Sequence, residues 1–244
     1  MRTTLISDLH LAAPDQAPAL DLLRLLEEWP TETWVLLGDV FDDWWGWERS
    51  VYVHAVPVLA ALHAQVRSGR SVIWVPGNRD PHPGGAAERL GIEVRPDWHG
   101  AAGGAKVLAV HGDVEGGLGQ RLLDRAIRGR PTRVLARALG PERVWPLLRR
   151  AGAISRRANH EPDPSLLDRQ ARFADRRLTE GFDIVCLGHS HAPGVQVRTG
   201  GTLVNLGDWV GHRSFAVVED QVRLLRWRDG EVVELEGPPR ARVG

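Results

Sequence analysis

The sequence predicts an α/β fold in which two sheets pack face to face with helices outside, a four-layer αββα sandwich carrying a small helical insertion. Three observations predict it. Short β-rich apolar runs alternate with helix-patterned stretches over the N-terminal half. A tightly spaced set of strand patterns fills the region before the C-terminus. Five polar motifs stand at the ends of apolar runs, where the carboxyl ends of parallel strands collect ligands.

The expected strands of the first kind are Thr3–Ser7, Thr33–Leu37, Ser71–Pro76, Lys106–Val110 and Asp183–Leu187. Between the first two, Ala17–Trp29 repeats Leu20, Leu23 and Leu26 at helical spacing. Between the next two, Arg49–Ser68 carries Val53, Val56, Leu59, Ala60 and Leu62 on a helical pattern. Strands alternating with helices imply a largely parallel sheet. The closing stretch reads as a meander of Val195–Val197, Thr202–Leu206, Ser214–Val218, Gln221–Trp227 and Val232–Leu235, separated by Gly200-Gly201, Asp220 and Asp229-Gly230. It is expected to form much of a second sheet. The tail after Gly237 is expected to fray.

Residues 1–244 are expected to form a single domain, with 114–164 inserted as a helical lid. The insertion has no strand pattern. Gly119–Arg128, Thr132–Leu139 and Pro141–Ala151 read as short helices punctuated by Gly129, Gly140 and Gly152.

Charged residues make up 25% of the chain and cancel to zero net charge, which predicts no general attraction to nucleic acid. Lys106 is the sole lysine, so the arginine content reflects a coding bias before it reflects function. Cys186 is the sole cysteine and lies in an apolar run, where it reads as a small buried hydrophobe. A disulfide framework within the chain is excluded. The first motif begins at Asp8, leaving no room for a signal peptide, and no apolar run approaches the roughly 20 residues of a membrane span. A cytoplasmic protein is expected, in peripheral contact with a membrane surface if its substrate lies there.

The motifs are Asp8-Leu9-His10, Gly38-Asp39-Val40-Phe41-Asp42, Gly77-Asn78-Arg79-Asp80, His111-Gly112-Asp113 and Gly188-His189-Ser190-His191. Carboxylates, imidazoles and one amide oxygen suit a pair of divalent cations. A two-metal centre implies displacement at phosphorus. Asp39 is the candidate bridging ligand. Asp8 and His10 alternate on one strand end and can face the same ion, and His189 and His191 are spaced alike. Asn78 adds a neutral oxygen and His111 a further nitrogen. One such dipeptide alone would mean an exposed turn; five in order, each at a strand end, mean a site.

This ordered set resembles the calcineurin-like metallophosphoesterases over residues 8–191. The resemblance implies Asp8, His10, Asp39 and His191 around one ion, and Asp39, Asn78, His111 and His189 around the other. Within that family the Arg79 form is similar to the UDP-2,3-diacylglucosamine hydrolases of lipid A synthesis, as are Asp42-Asp43-Trp44, the insertion and Gly207-Asp208-Trp209. The resemblance implies hydrolysis of UDP-2,3-diacylglucosamine to UMP and an acylated sugar phosphate, usually with manganese. It places Arg79, Asn78 and His111 in catalysis. It places Asn78, Arg79, Ser155, Asn159 and His189 against the substrate, the Ser155 to Asn159 spacing matching a substrate-contact pattern of that family. Pro162 stands where those enzymes have lysine, and an Asp-x-x-Tyr pair expected after His-Gly-Asp is absent. Both departures bear on the lipid, not on the metals.

Arginine at position 79 also has its own chemical meaning. Many phosphoesterases of this kind place histidine there to protonate an alkoxide. A guanidinium is always charged and a poor proton donor, but it holds phosphate through two parallel hydrogen bonds. It favours a leaving group that is itself a phosphate.

The insertion supplies an apolar face (Leu118, Leu122, Leu123, Ile127, Val134, Leu135, Leu139, Val144, Trp145, Leu147 and Leu148) and a basic one (Arg121, Arg125, Arg128, Arg130, Arg133 and Arg137). That suits acyl chains and anionic headgroups, and equally an ordinary helical cap with a solvated face. Trp44, Trp45 and Trp47 follow a ligand motif and are candidates for base or acyl contact, against edge packing. Other histidines, His82 and His212 among them, read as surface or capping residues. The rival functions are hydrolysis of a different nucleotide or soluble phosphoester, and a scaffold that keeps the fold without the chemistry. No obligate protein partner is implied.

Overall fold

The computed structural model describes residues 2–12, 16–42, 44–114, 118–147 and 164–235. Two sheets form its centre. The larger has the order β12-β11-β10-β1-β2-β3-β4, and the smaller β5-β6-β7-β9-β8. In chain order the strands are β1 Thr3–Ile6, β2 Thr33–Leu37, β3 Ser71–Val75, β4 Glu93–Val94, β5 Trp98–Ala102, β6 Ala105–Val110, β7 Ile184–Leu187, β8 Gly194–Arg198, β9 Gly201–Asn205, β10 Ser214–Val218, β11 Val222–Arg228 and β12 Glu231–Glu234. The strands expected to be parallel are so. β1 pairs with β2 in the register Thr3↔Thr33, β2 with β3, β6 with β7, and β7 with β9.

Side chains alternate across each strand, and here both faces are buried. On β2, Trp34 and Leu36 point to one side, where α1 (Ala17–Glu28) and α2 (Val56–Arg67) cover them with Leu22, Leu25, Leu26, Val58 and Leu62. Val35 and Leu37 point to the other side and meet Val107, Ala109, Ile184, Cys186 and Val204 of the smaller sheet. That sheet's outer face, Leu108, Val185, Leu187 and Leu203, is covered by Phe173, Ala174 and Leu178 of α7 (Pro164–Thr179). The result is the αββα sandwich. Each large apolar side chain so buried contributes about 1.5–3 kcal/mol. Where a polar atom enters the core it is partnered: Trp34 Nε1 donates to Gln65 Oε1 at 3.2 Å, and Gln65 Nε2 to Leu26 O at 2.7 Å.

Several expectations need correction. The meander is divided: β8 and β9 belong to the smaller sheet, but β10, β11 and β12 return to the β1 edge of the larger one. Strands β4 and β5 and the short α3 (Ala86–Arg89) carry no clear sequence pattern. Residues 49–52 are not helical. A 3₁₀ turn, Val53–Ala55, precedes α2, and Ser50 bridges to Trp47. Trp44 is fully buried and packs 5.9 Å from Trp74, so it is a core residue rather than a ligand contact. Cys186 is buried, and burial pushes its thiol up to about 12, leaving it unreactive.

Within the stretch read as the insertion, the described residues form helices α4 Leu118–Arg128, α5 Arg130–Leu139 and α6 at 141–147. Its inner face rests on the segment after the second motif. Trp45, Trp47, Ala136 and Val144 form a small apolar cluster, with Trp145 5.3 Å from Trp47 and stacked 3.7 Å from Tyr52. Ser155, Asn159, His160 and the tail after Gly237 lie outside the described residues.

Candidate metal centre

All five motifs begin where strands β1, β2, β3, β6 and β7 end, on one edge of the sandwich. The backbone there is unusual. Asp8, His10, Asp39, His189 and His191 all have positive φ, between 44° and 66°, where among the described residues only two further non-glycine residues do so, Arg213 and Asp229. Such conformations cost of order 1–3 kcal/mol each and persist only when the surroundings enforce them. Close loop packing supplies that enforcement. A Cβ on Gly38 would stand 2.5 Å from the Gly77 Cα, and one on Gly188 would collide with Ser7 Oγ. Gln170 of α7 donates to Gly112 O at 3.0 Å and to Gly188 O at 2.9 Å, tying two of the loops together.

Asp80, the last residue of its motif, ties that motif to the second one. Its carboxylate accepts the backbone N–H groups of Asp39 (3.0 Å), Val40 (2.9 Å) and Gly77 (2.6 Å) and the indole N–H of Trp74 (3.0 Å). Burial, then the charge of Asp39, pushes it up to about 7 despite those backbone donors.

The side chains converge. Asp39 Oδ2 lies 3.8 Å from His10 Nε2, while Asp39 Oδ1 lies 3.7 Å from His111 Nε2. Its two oxygens therefore face opposite sides of one cleft. On the first side, Asp8 Oδ1 is 3.2 Å from His191 Nε2 and 3.7 Å from His10 Nε2, and the two Nε2 atoms are 3.3 Å apart. On the second, Asn78 Oδ1 is 3.0 Å from His111 Nε2, and the ring of His189 stands edge-on to His111 with centroids 5.0 Å apart. Two triads have mutually close ligand atoms: Asp8 with His10 and His191, and Asp8 with Asp39 and His111. The second triad gives Asp8 reach toward both sides, beyond the one side expected of it.

Divalent cations fit this donor set. Asp8 Oδ1 is a buried carboxylate oxygen without a hydrogen bond, pointed at imidazole nitrogens. Nδ1–H of His111 donates to Leu37 O at 2.7 Å and that of His10 to Asp42 Oδ1 at 3.1 Å, which leaves both Nε2 lone pairs turned into the cleft. The electrostatics agree. Burial opposes charge on His10, but its hydrogen bond to Asp42 and the nearby Asp8 and Asp39 carboxylates raise it to about 10. Burial likewise opposes charge on His111, and Asp39, Asp8 and Asp113 raise it to about 9. Burial works against the Asp8 carboxylate, yet the surrounding histidines hold it well below the usual range. His189 is lowered by burial and by the charge of His111. A cluster that retains protons this tightly has an excess of negative charge, which two cations would balance.

Arg79 donates its backbone N–H to Asp39 Oδ1 at 2.8 Å, so its loop leans on the bridging candidate. Three residues were not singled out as site residues in the sequence. Asp42 and Asp208 stand behind His10 and His191, with Asp208 Oδ2 3.6 Å from His191 Nδ1. Asp208 follows β9, so it is a sixth strand-end motif on the same edge. Arg128 of α4 reaches back to Asp113 Oδ2 at 2.5 Å and Gly77 O at 3.4 Å. His82, expected at the surface, contacts Ile127 O at 3.0 Å and Trp45.

Comparison with known proteins agrees with this geometry. The family model for calcineurin-like phosphoesterases matches residues 1–193. A UDP-2,3-diacylglucosamine hydrolase of Xanthomonas campestris pv. campestris (strain B100) is 29% identical over 231 residues, covering 86% of this chain and 92% of the relative. One from Xanthomonas axonopodis pv. citri (strain 306) is 30% identical over 233 residues, with the same coverage. Among solved structures, Yfce, a phosphoesterase from E. coli, superposes with a TM-score of 0.50 at 16% identity, covering 96% of this chain and 97% of that one. The chain belongs to the calcineurin-like phosphoesterase family and is a metal-dependent phosphoester hydrolase.

Proposed function

We propose that the protein hydrolyses the diphosphate of UDP-2,3-diacylglucosamine, giving UMP and 2,3-diacylglucosamine 1-phosphate, with manganese as the metal. The observation that carries the two-metal reading is the placement of Asp39, whose two carboxylate oxygens face His10 and His111 on opposite sides of the cleft. Asp8, His10, Asp39 and His191 would hold one ion, and Asp39, Asn78, His111 and His189 the other. When bound, the ions supply Lewis acidity toward the phosphoryl oxygens and lower the pKa of bound water.

The chain's own residues supply the rest. Asn78 and Arg79 follow one another in the loop after β3, with Asn78 Oδ1 3.0 Å from His111 Nε2 and the Arg79 backbone N–H on Asp39 Oδ1. The Arg79 guanidinium is half-buried, and among the described residues it has no ion-pair or hydrogen-bond partner, which leaves its donors for substrate phosphate. A sugar phosphate leaves as an anion and needs no proton from this position, so arginine suffices where an alkoxide would need an acid. His189 stays neutral beside the phosphate. Ser155 and Asn159, outside the described residues, are assigned to the substrate by resemblance.

The lipid half of the reading rests on the names of the two Xanthomonas relatives and on the insertion, which we treat as a lid within a single domain. Its outer surface exposes Leu122, Val134, Leu135 and Leu147 beside Arg125, Arg130, Arg133 and Arg137. That composition favours peripheral contact with an anionic bilayer. No helix among the described residues is long and apolar enough to cross a membrane.

The test is release of UMP from UDP-2,3-diacylglucosamine in manganese, run beside a water-soluble diester and a nucleotide diphosphate. UMP release that stops in EDTA supports the proposal. Fast turnover of the soluble diester with none of the glycolipid would assign the site to soluble phosphoesters instead.

A further inference from the structure

We propose that the two ion positions are unequal, and that Asp42 and Asp208 make them so by backing, among the described residues, the histidines of one site only. The inference rests on reading the cleft as a binuclear metal centre.

On the His10 and His191 side, both imidazoles have a carboxylate behind them. His10 Nδ1–H donates to Asp42 Oδ1 at 3.1 Å while its Nε2 faces the cleft. His191 Nδ1 lies 3.6 Å from Asp208 Oδ2 while its Nε2 faces Asp8. Asp208 is buried and held by its own turn, where Oδ1 accepts the N–H groups of Gly211 (2.5 Å) and His212 (3.1 Å). Its Oδ2 is left to face His191 and the Nδ1 of His212, 3.2 Å away. The same loop is fastened to the first motif, since Trp209 N–H donates to Asp8 O at 3.1 Å. Asp208 is therefore placed by the fold, not by chance rotation of a surface side chain.

The other side is built differently. His111 Nδ1–H donates to a neutral acceptor, the Leu37 carbonyl, at 2.7 Å. Asn78 is a neutral ligand. The carboxylate next in sequence, Asp113, is paired with Arg128 at 2.5 Å. An outer carboxylate fixes the tautomer of a ligating imidazole and raises its basicity, whereas a backbone carbonyl fixes the tautomer with less charge. Two anionic supports against neutral ones give the His10 and His191 site the stronger hold on a divalent cation. The sites fill in order, that one first.

Manganese titration of the metal-stripped full chain tests this, with free Mn²⁺ counted by electron paramagnetic resonance and binding followed by calorimetry. Two classes of site at least roughly tenfold apart are expected. Asp208→Asn keeps an oxygen to cap the turn and removes the charge. It should weaken the tight class roughly 10- to 100-fold and leave the weak class and the melting temperature in EDTA unmoved. Asp42→Asn should do the same from a different loop, and Asp208→Glu should recover much of the affinity. Two equal sites in the unmodified protein would overturn the inference while sparing the proposed function. So would Asn variants that leave the tight class intact or weaken both classes alike. A protein that takes up no manganese would remove the metal-centre reading and this inference together.

Discussion

The strand-end centre and the helical insertion lie against each other but are held by different physics. The centre hangs from five strands whose faces are buried on both sides, and its loops are cross-tied by Asp80, Gln170 and Ser7. Among the described residues the insertion rests on an aromatic seat of Trp45, Trp47, Tyr52 and Trp145, and on polar contacts of His82 with Ile127 and of Arg128 with Asp113 and Gly77. Positions that must hold to a fraction of an ångström are placed by the core. The insertion is placed by a small aromatic cluster. On the proposed function, that difference predicts that the chemistry and the specificity of this chain can be perturbed independently.

The strongest way to break that division is Asp39→Ala. It removes the carboxylate whose two oxygens face His10 and His111 separately. Activity should fall by more than roughly 1,000-fold, several kcal/mol of lost metal chemistry, with loss of bound manganese measured by metal analysis. Retention of two ions would show that Asp39 does not bridge. Arg79→Ala comes next. It should lower kcat by roughly 100- to 1,000-fold, as loss of a charge-stabilising donor does, with both ions still bound. A metal-free variant would contradict the division of roles within the centre.

Acidity sharpens the comparison, because it acts on the centre and not on the aromatic seat. In the metal-free protein His10 and His111 are raised to about 10 and about 9 from an ordinary 6.5. Their contribution to stability is fully present below pH 6.5 and is lost as pH rises through 9 to 10. Metal binding has the opposite demand, since it needs the neutral imidazoles and releases protons. At one fixed manganese concentration, the gain in melting temperature over an EDTA sample should grow from pH 6.5 to pH 8.5. Calorimetry in buffers of different ionisation enthalpy should detect the released protons. A gap that shrinks with pH would contradict these assignments.

The smallest effect is expected at the seat of the insertion. Trp145→Ala removes the stack on Tyr52 and the edge contact with Trp47, an aromatic contribution of about 0.5–1.5 kcal/mol beyond buried area. Hydrogen exchange in α5 should speed several-fold while β1 and β2 are unchanged and manganese still binds. Faster exchange throughout would mean that the insertion is part of the core's cooperative unit.

Much of this was legible in the sequence, for identifiable reasons. The five motifs could be read because a parallel strand buried on both faces is a short apolar run, and its carboxyl end is where polar residues must begin. Helix α1 was legible from its leucine spacing. Helix α7, which among the described residues covers the outer face of the smaller sheet, was missed because four arginines interrupt its apolar stripe of Phe173, Ala174 and Leu178. Strand β5 was missed because Trp98-His99-Gly100-Ala101-Ala102 has weak strand character and is held by its antiparallel pairing with β6. Asp42 and Asp208 gave no local signal of their roles, since a carboxylate behind a histidine is a relation between loops.

By itself, then, the chain's order of residues determined which groups can bind cations, that they lie at strand ends, and that arginine rather than histidine stands at position 79. Those properties are local: residue type, period and position along a run. Tertiary structure alone decided that β10, β11 and β12 would join β1 rather than continue the smaller sheet, because an alternating strand pattern suits either edge. It also decided the strained backbone at Asp8, His10, Asp39, His189 and His191, which the packing of neighbouring loops enforces. And it alone set which histidines are backed by charge and which by a neutral carbonyl, a matter of distances that no spacing along the chain contains.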